Sequence, residues 1–219
     1  MIKQSERLNS VEEYYFSKKL REVSNMIQSG ESVINMAIGS PDLFPSIKVV
    51  DEIKNSLSDS FAHKYQSYQG LPELRNAIAK FYNKFFGVEL NPSNEVLPLM
   101  GSKEGIMHIS LAFLNSADEV LIPNPGYPTY LSVTKLVQAN PVFYNLSEEN
   151  CWFPNLSELE NKDLSKVKLM WINYPHMPTG ASANFDQFEK LLEFAKTNNI
   201  LLINDNPYSF ILNDEYLSL

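Results

Sequence analysis

The 219-residue chain is 44% apolar and 12% aromatic, enough to bury a core, which excludes global disorder. Its net charge of −8, with no cluster of Lys and Arg, argues against nucleic acid as a partner, and a single cysteine, Cys151, excludes an internal disulfide and a thiolate pair for a metal. His63, His108 and His176 share no ligand spacing, no run nears the ~20 apolar residues that cross a bilayer, and the N-terminus has no signal core, so a cytoplasmic protein without a metal or a membrane partner is expected.

Residues 10–29 read as a mixed-charge helix ended by Gly30, and residues 33–38 as a short strand leading into Gly39, Ser40, Pro41 and Asp42. Residues 46–58 have helical periodicity through Ile47, Val50, Ile53 and Leu57. A further helix spans about 71–86, with Pro72 in its first turn, where proline is tolerated, and Gly87 past its end. From about residue 95 short β-rich runs alternate with helical stretches. Strands are expected at 96–100, 119–122, 141–145, 167–173 and 200–204, with helices at 103–114, 127–138 and 184–197, and the stretch 145–165 as a surface excursion. Such alternation predicts an α/β fold, a mostly parallel sheet flanked by helices, in which ligands sit beyond the carboxyl ends of the strands.

The chemistry-bearing motifs fall at those ends or in the turns just after them. Gly101-Ser102-Lys103-Glu104-Gly105 joins a strand to a helix, so its amides and the Ser102 hydroxyl offer an anion site; by itself a plain helix cap explains it better. Residues 123–130, Pro-Asn-Pro-Gly-Tyr-Pro-Thr-Tyr, are by themselves a proline-stiffened turn with two packing tyrosines. Asp205 and Tyr208, after the last apolar run, are spaced to project into one pocket, although Asp205-Asn206-Pro207 also reads as a turn. Residues 173–180, Asn-Tyr-Pro-His-Met-Pro-Thr-Gly, complete the set.

Taken together, in order and at these mutual spacings over residues 33–210, the motifs resemble the class I/II aminotransferases, pyridoxal-phosphate enzymes of fold type I in the aspartate aminotransferase superfamily. The resemblance implies pyridoxal 5'-phosphate as cofactor, with Gly101, Ser102 and Lys103 on its phosphate, Tyr127 stacked on its ring, Asp205 beside the ring nitrogen, and Tyr208 and Asn173 near its phenolic oxygen. It further implies Gly39 against the substrate carboxylate, and a homodimer in which Tyr65 reaches the phosphate of the partner subunit's site. Amino acid and 2-oxo acid substrates follow, with a lyase or decarboxylase of the same fold, or a non-catalytic remnant, as alternatives.

By the same resemblance, residues 1–45 are the N-terminal segment of a small domain and interface, and residues 46–219 a large cofactor-binding domain. The sheet would carry residues 96–100 as an edge strand, which Pro98 suits. The lysine that forms the Schiff base would lie beyond Leu219, so no catalytic residue is expected in this chain, nor a lasting covalent Schiff base to the cofactor or turnover by it alone. Asn124-Pro125 and Met177-Pro178 are expected as cis peptide bonds. One departure stands out: where the family pattern has Asn, this chain has Met177, which cannot donate a hydrogen bond. Asn173, a water or Tyr208 alone then serves the phenolic oxygen, or the pocket is altered.

Overall fold

A computed structural model describes residues 2–11, 13–36, 39, 41–211 and 216–219. Contacts divide the chain into two compact units, one of residues 1–12, 79–90 and 99–219, the other of residues 13–78 and 91–98. The larger unit is built on a four-stranded sheet of β1 (Glu119–Asn124), β2 (Asn140–Asn145), β3 (Val167–Ile172) and β4 (Leu201–Asn204), in spatial order β2-β1-β3-β4 and parallel throughout.

Burial explains why the strands read as continuous apolar runs, since a parallel sheet is covered on both faces. Alternate residues of each strand point to opposite faces. Leu121, Met170 and Ile172 join Tyr144, Leu191 and Phe194 in one core. Val120, Ile122, Leu169 and Trp171 join Ile106, Tyr130 and Val133 in the other. Helix α7 (Phe185–Thr197) covers the first face; it opens with a capping box in which Asn184 accepts from the Gln187 amide and the Gln187 side chain accepts from the Asn184 amide. Helices α4 (Ser102–Phe113) and α5 (Pro128–Leu136) supply the second, and α5 starts with proline at a position where its missing N–H costs nothing.

Stretch 145–165 is more than a surface excursion. It contains helix α6 (Leu156–Glu160), capped by Asn155, and Leu146 and Leu159 are buried in the first core. Its Asn, Glu and Ser residues hide apolar positions that recur too sparsely to register as a period.

The smaller unit holds α1 (Tyr15–Gln28) and α2 (Ile47–Ser56), and α3 (Pro72–Phe86) runs from it into the larger unit. Arg75 is buried there, its guanidinium donating to the carbonyls of Pro92 and Ser93 at 2.8 and 3.3 Å, which ties α3 to the turn at 91–94. Neither α1 nor α2 buries a residue.

Two expected strands are corrected. Residues 96–100 pair with no described strand; an extended segment becomes a strand only through a ladder, and Pro98 has no N–H to give to one. Residues 33–36 have no regular structure, and the expected strand's last two residues, 37 and 38, lie outside the described residues.

Candidate active site

The chain leaves β1 for β2 on one side and returns to β3 on the other side of β1, so the segments after β1 and β3 diverge. A crevice opens at the carboxyl ends where the order reverses, the usual ligand position in such sheets. A cavity of about 190 Å³ lies there, lined by Ser102, Tyr127, Asn173, Met177, Asp205, Pro207 and Tyr208. That is below the roughly 300–1,000 Å³ of pockets for drug-sized ligands and suits one small ring.

The turn after β1 delivers Tyr127. Gly126 is required in it, because a Cβ there would stand 2.4 Å from the Pro123 carbonyl oxygen. Asn124-Pro125 is cis, as is Met177-Pro178 across the crevice; Tyr174-Pro175 is a third cis bond. Asn124 Nδ2 donates to Asn145 Oδ1 at 2.9 Å, fastening the ends of β1 and β2. Tyr127 is half-buried, edge-on to the Tyr130 ring, and the Lys103 ammonium stands 5.8 Å from its ring centre.

At the ends of β3 and β4 the backbone and side chains interlock. The Asp205 amide donates to the Ile172 carbonyl at 3.0 Å, and Asn173 Nδ2 donates to the Asp205 carbonyl. Asn173 Oδ1 accepts from the Met177 amide at 2.8 Å, and Asn204 Oδ1 accepts from the Tyr174 amide at 3.0 Å. Asn173 is therefore first a clamp between the two motifs. Its Nδ2 has a second hydrogen with no partner among the described residues, and Asn173 lines the cavity.

The Asp205 carboxyl accepts a hydrogen bond from the Tyr130 hydroxyl at 2.8 Å. Burial raises its pKa from the ordinary carboxylate value, and the Tyr130 bond opposes that rise. Burial likewise pushes the Tyr130 phenol far above its usual range, reinforced by the Asp205 charge, so Tyr130 stays a donor.

Helix α4 is preceded by Gly101, its N-terminal cap, whose φ of 105° a side chain would strain and around which a Cβ would meet only open space. Gly101 has no side chain to cap the helix, and the first-turn Glu104 carboxylate is engaged by the Met100 amide just upstream. The first-turn amides and the Ser102 hydroxyl at the cavity together make an electropositive end that favours an anion.

Ser102, Tyr127, Asn173, Asp205 and Tyr208 thus converge on one cavity, with Gly101 and Lys103 flanking Ser102. Met177 contributes a thioether wall where the family pattern has an amide. Gly39 and Tyr65 belong to the smaller unit, where both are exposed; Ile38 and Ser40 lie outside the described residues. Sequence reasoning missed Tyr130 and Trp171 as parts of the site's support. The spacing of Tyr127 and Tyr130 at a helix start was the available signal, since one turn separates the two side chains. His176, given no role, is buried with Nδ1 2.8 Å from Thr179 Oγ1.

The residues fit a phosphorylated pyridine. An anion cradle at a helix start, an aromatic wall and a recessed carboxylate match its phosphate, ring face and ring nitrogen. No metal-binding group of three or more His, Cys, Asp or Glu occurs among the described residues, and no described helix is long and apolar enough to cross a membrane.

Comparison with known proteins agrees. The chain is 41% identical over 215 residues to an LL-diaminopimelate aminotransferase of Dehalococcoides mccartyi, covering 98% of this chain and 55% of that protein. Among solved structures, substrate-bound BacF of Bacillus subtilis matches all of the chain with 56% of its own length, at a TM-score of 0.90 and 34% identity. An alanine aminotransferase of Pyrococcus furiosus matches 99% of the chain with 55% of its own, at 0.91 and 29%. The chain spans about half the length of these relatives. Residues 31–215 match the model of the aminotransferase class I and II family, and with the site geometry this establishes that the chain belongs to that pyridoxal-phosphate-dependent family.

Proposed function

We propose that the protein is an amino acid aminotransferase, moving an amino group from an amino acid to a 2-oxo acid. The observation that carries this reading is the convergence of Ser102, Tyr127, Asn173, Asp205 and Tyr208 on one cavity at the strand-order reversal. When bound, pyridoxal phosphate supplies an electron sink for the bonds of the amino acid α-carbon. Asp205 keeps a proton on the ring nitrogen, since a carboxylate beside that atom favours its charged form. Gly101, Ser102 and Lys103 hold the phosphate, and Tyr127 covers one ring face. Tyr208 and the free Nδ2 hydrogen of Asn173 serve the phenolic oxygen, because Met177 cannot.

We further assign Gly39 to the substrate carboxylate and Tyr65 to the partner subunit's site in a cytoplasmic homodimer. Residues 1–45 would belong to a small domain and interface and residues 46–219 to a large domain. The exposed apolar side chains of α2, Ile47, Val49 and Ile53, support an association surface. LL-diaminopimelate is the first donor to try, from the name of the 41%-identical relative. The test supplies the catalytically competent protein, one that includes the Schiff-base lysine, with pyridoxal phosphate, that donor and a 2-oxo acid. Formation of a new amino acid in step with donor loss and without free ammonia is expected. Release of ammonia would identify a lyase instead, and no reaction with any donor would leave a non-catalytic member of the family.

A further inference from the structure

The Tyr130 ring is fully buried and lies parallel to Trp171, with centroids 5.1 Å apart and planes 6° from coplanar. Trp171 belongs to β3 and is itself 2% exposed, so the tyrosine is sandwiched between helix and sheet and has no alternative rotamer space. From that fixed ring the hydroxyl donates to Asp205 Oδ2. The Asp205 backbone is held independently, by the Ile172 carbonyl and by Asn173. With the main chain held and Oδ2 engaged by Tyr130, Oδ1 is the oxygen without a hydrogen-bond partner among the described residues.

We propose that Tyr130 is a positioning residue of the cofactor site, locked by its stack on Trp171 and holding Asp205 through Oδ2 so that Oδ1 is presented to the cavity. This rests on the reading of Asp205 as the partner of the pyridine nitrogen. A buried carboxyl with no donor would tend to take up a proton, and a protonated carboxyl cannot hold the ring nitrogen charged. The phenol counters this with one charge-assisted hydrogen bond. The other titratable groups at the cavity are the Tyr127 and Tyr208 phenols and the Lys103 ammonium over the Tyr127 ring. None of them makes a hydrogen bond to the Asp205 carboxyl.

Tyr130→Phe removes the hydroxyl and keeps the stack on Trp171, so it separates positioning from packing. Two measurements on the full chain test it, after thermal melting confirms that the variant folds. Carboxyl NMR of Asp205 without cofactor should show its titration midpoint raised in the variant by about one pH unit, the scale of one hydrogen bond to a charged group. The acidic limb of pyridoxal-phosphate affinity, from equilibrium dialysis, should move upward by the same amount. In an Asp205→Asn background, Tyr130→Phe should move neither the affinity nor its pH dependence. An unmoved midpoint and limb, or an equal loss of affinity in the Asp205→Asn background, overturns the proposal. If the parent chain binds no pyridoxal phosphate at any pH, the cofactor reading fails and takes this proposal with it; binding with an unmoved limb defeats the positioning role alone.

Discussion

Helices α7 and α2 both carry apolar residues at helical spacing, and they end in opposite surroundings. In α7, Phe188, Leu191, Phe194 and Ala195 are buried against the sheet. In α2, Ile47, Val49 and Ile53 stay more than half exposed, and no residue of the helix is buried. An amphipathic pattern states that a face will be covered; it does not name the cover. For α7 the cover is a parallel sheet in the same unit. For α2 it is not among the described residues of its own unit, which is why its pattern bears on association.

The contrast can be broken most sharply at Trp171, which underpins both the second core and the Tyr130 stack. Trp171→Ala should cost about 3–5 kcal/mol of stability in urea unfolding, the usual range for deleting a large buried aromatic. A loss below ~1 kcal/mol would show that the sheet face tolerates a cavity and that Trp171 is only loosely packed.

At the site, Asp205→Asn in the catalytically competent protein should keep cofactor binding through the α4 cradle while turnover falls by about 10²–10³-fold, as for removal of one preorganised electrostatic partner. Steady-state assay with dialysis for bound cofactor checks both halves. Undiminished turnover would remove Asp205 from the chemistry.

Tyr144→Phe probes a buried polar link, because the Tyr144 hydroxyl donates to the Trp171 carbonyl at 2.7 Å. Its loss leaves that carbonyl buried without its side-chain donor, and a cost of about 1–3 kcal/mol in the same unfolding assay is expected.

His176 supplies a pH dependence. Burial lowers its pKa from 6.5, with the Pro125 carbonyl opposing. The unfolded chain therefore takes up a proton where the folded chain does not, so stability is complete above about pH 6.5 and declines as the pH falls below that value. His176→Asn should flatten this acid decline relative to the parent chain, read from urea midpoints at pH 5 and pH 7.5. An equally steep decline in the variant would assign the effect to other groups.

The smallest effect belongs to α2. Ile53→Ala should change the unfolding free energy of the dilute chain by no more than about 0.5 kcal/mol, because the side chain is already 58% exposed. The same substitution should weaken self-association in sedimentation experiments. A large stability loss at low concentration would instead place a cover over α2 within the chain.

The order of elements, the parallel sheet and most of the cavity lining were legible in the amino-acid sequence because they rest on local signals. Apolar runs between helical periods give the sheet, Pro128 and Asn184 mark helix starts, and Asn173, Asp205 and Tyr208 stand at strand ends where parallel topology places ligands. What stayed hidden depends on contacts between residues far apart in the chain. Residues 96–100 have strand composition, yet strand identity belongs to a ladder, and the ladder partner is not a property of the segment itself. Leu159 is fully buried within a stretch whose polar residues conceal any period. Tyr130 is 75 residues from Asp205, and its role exists only because β3 carries Trp171 beneath it and β4 ends within reach of its hydroxyl. The sequence by itself pointed to Ser102, Tyr127, Asn173, Asp205 and Tyr208, which line one cavity; only the tertiary structure decided which residues hold them in place, because orientation is set by packing, and packing is a relation between elements that share no local signal.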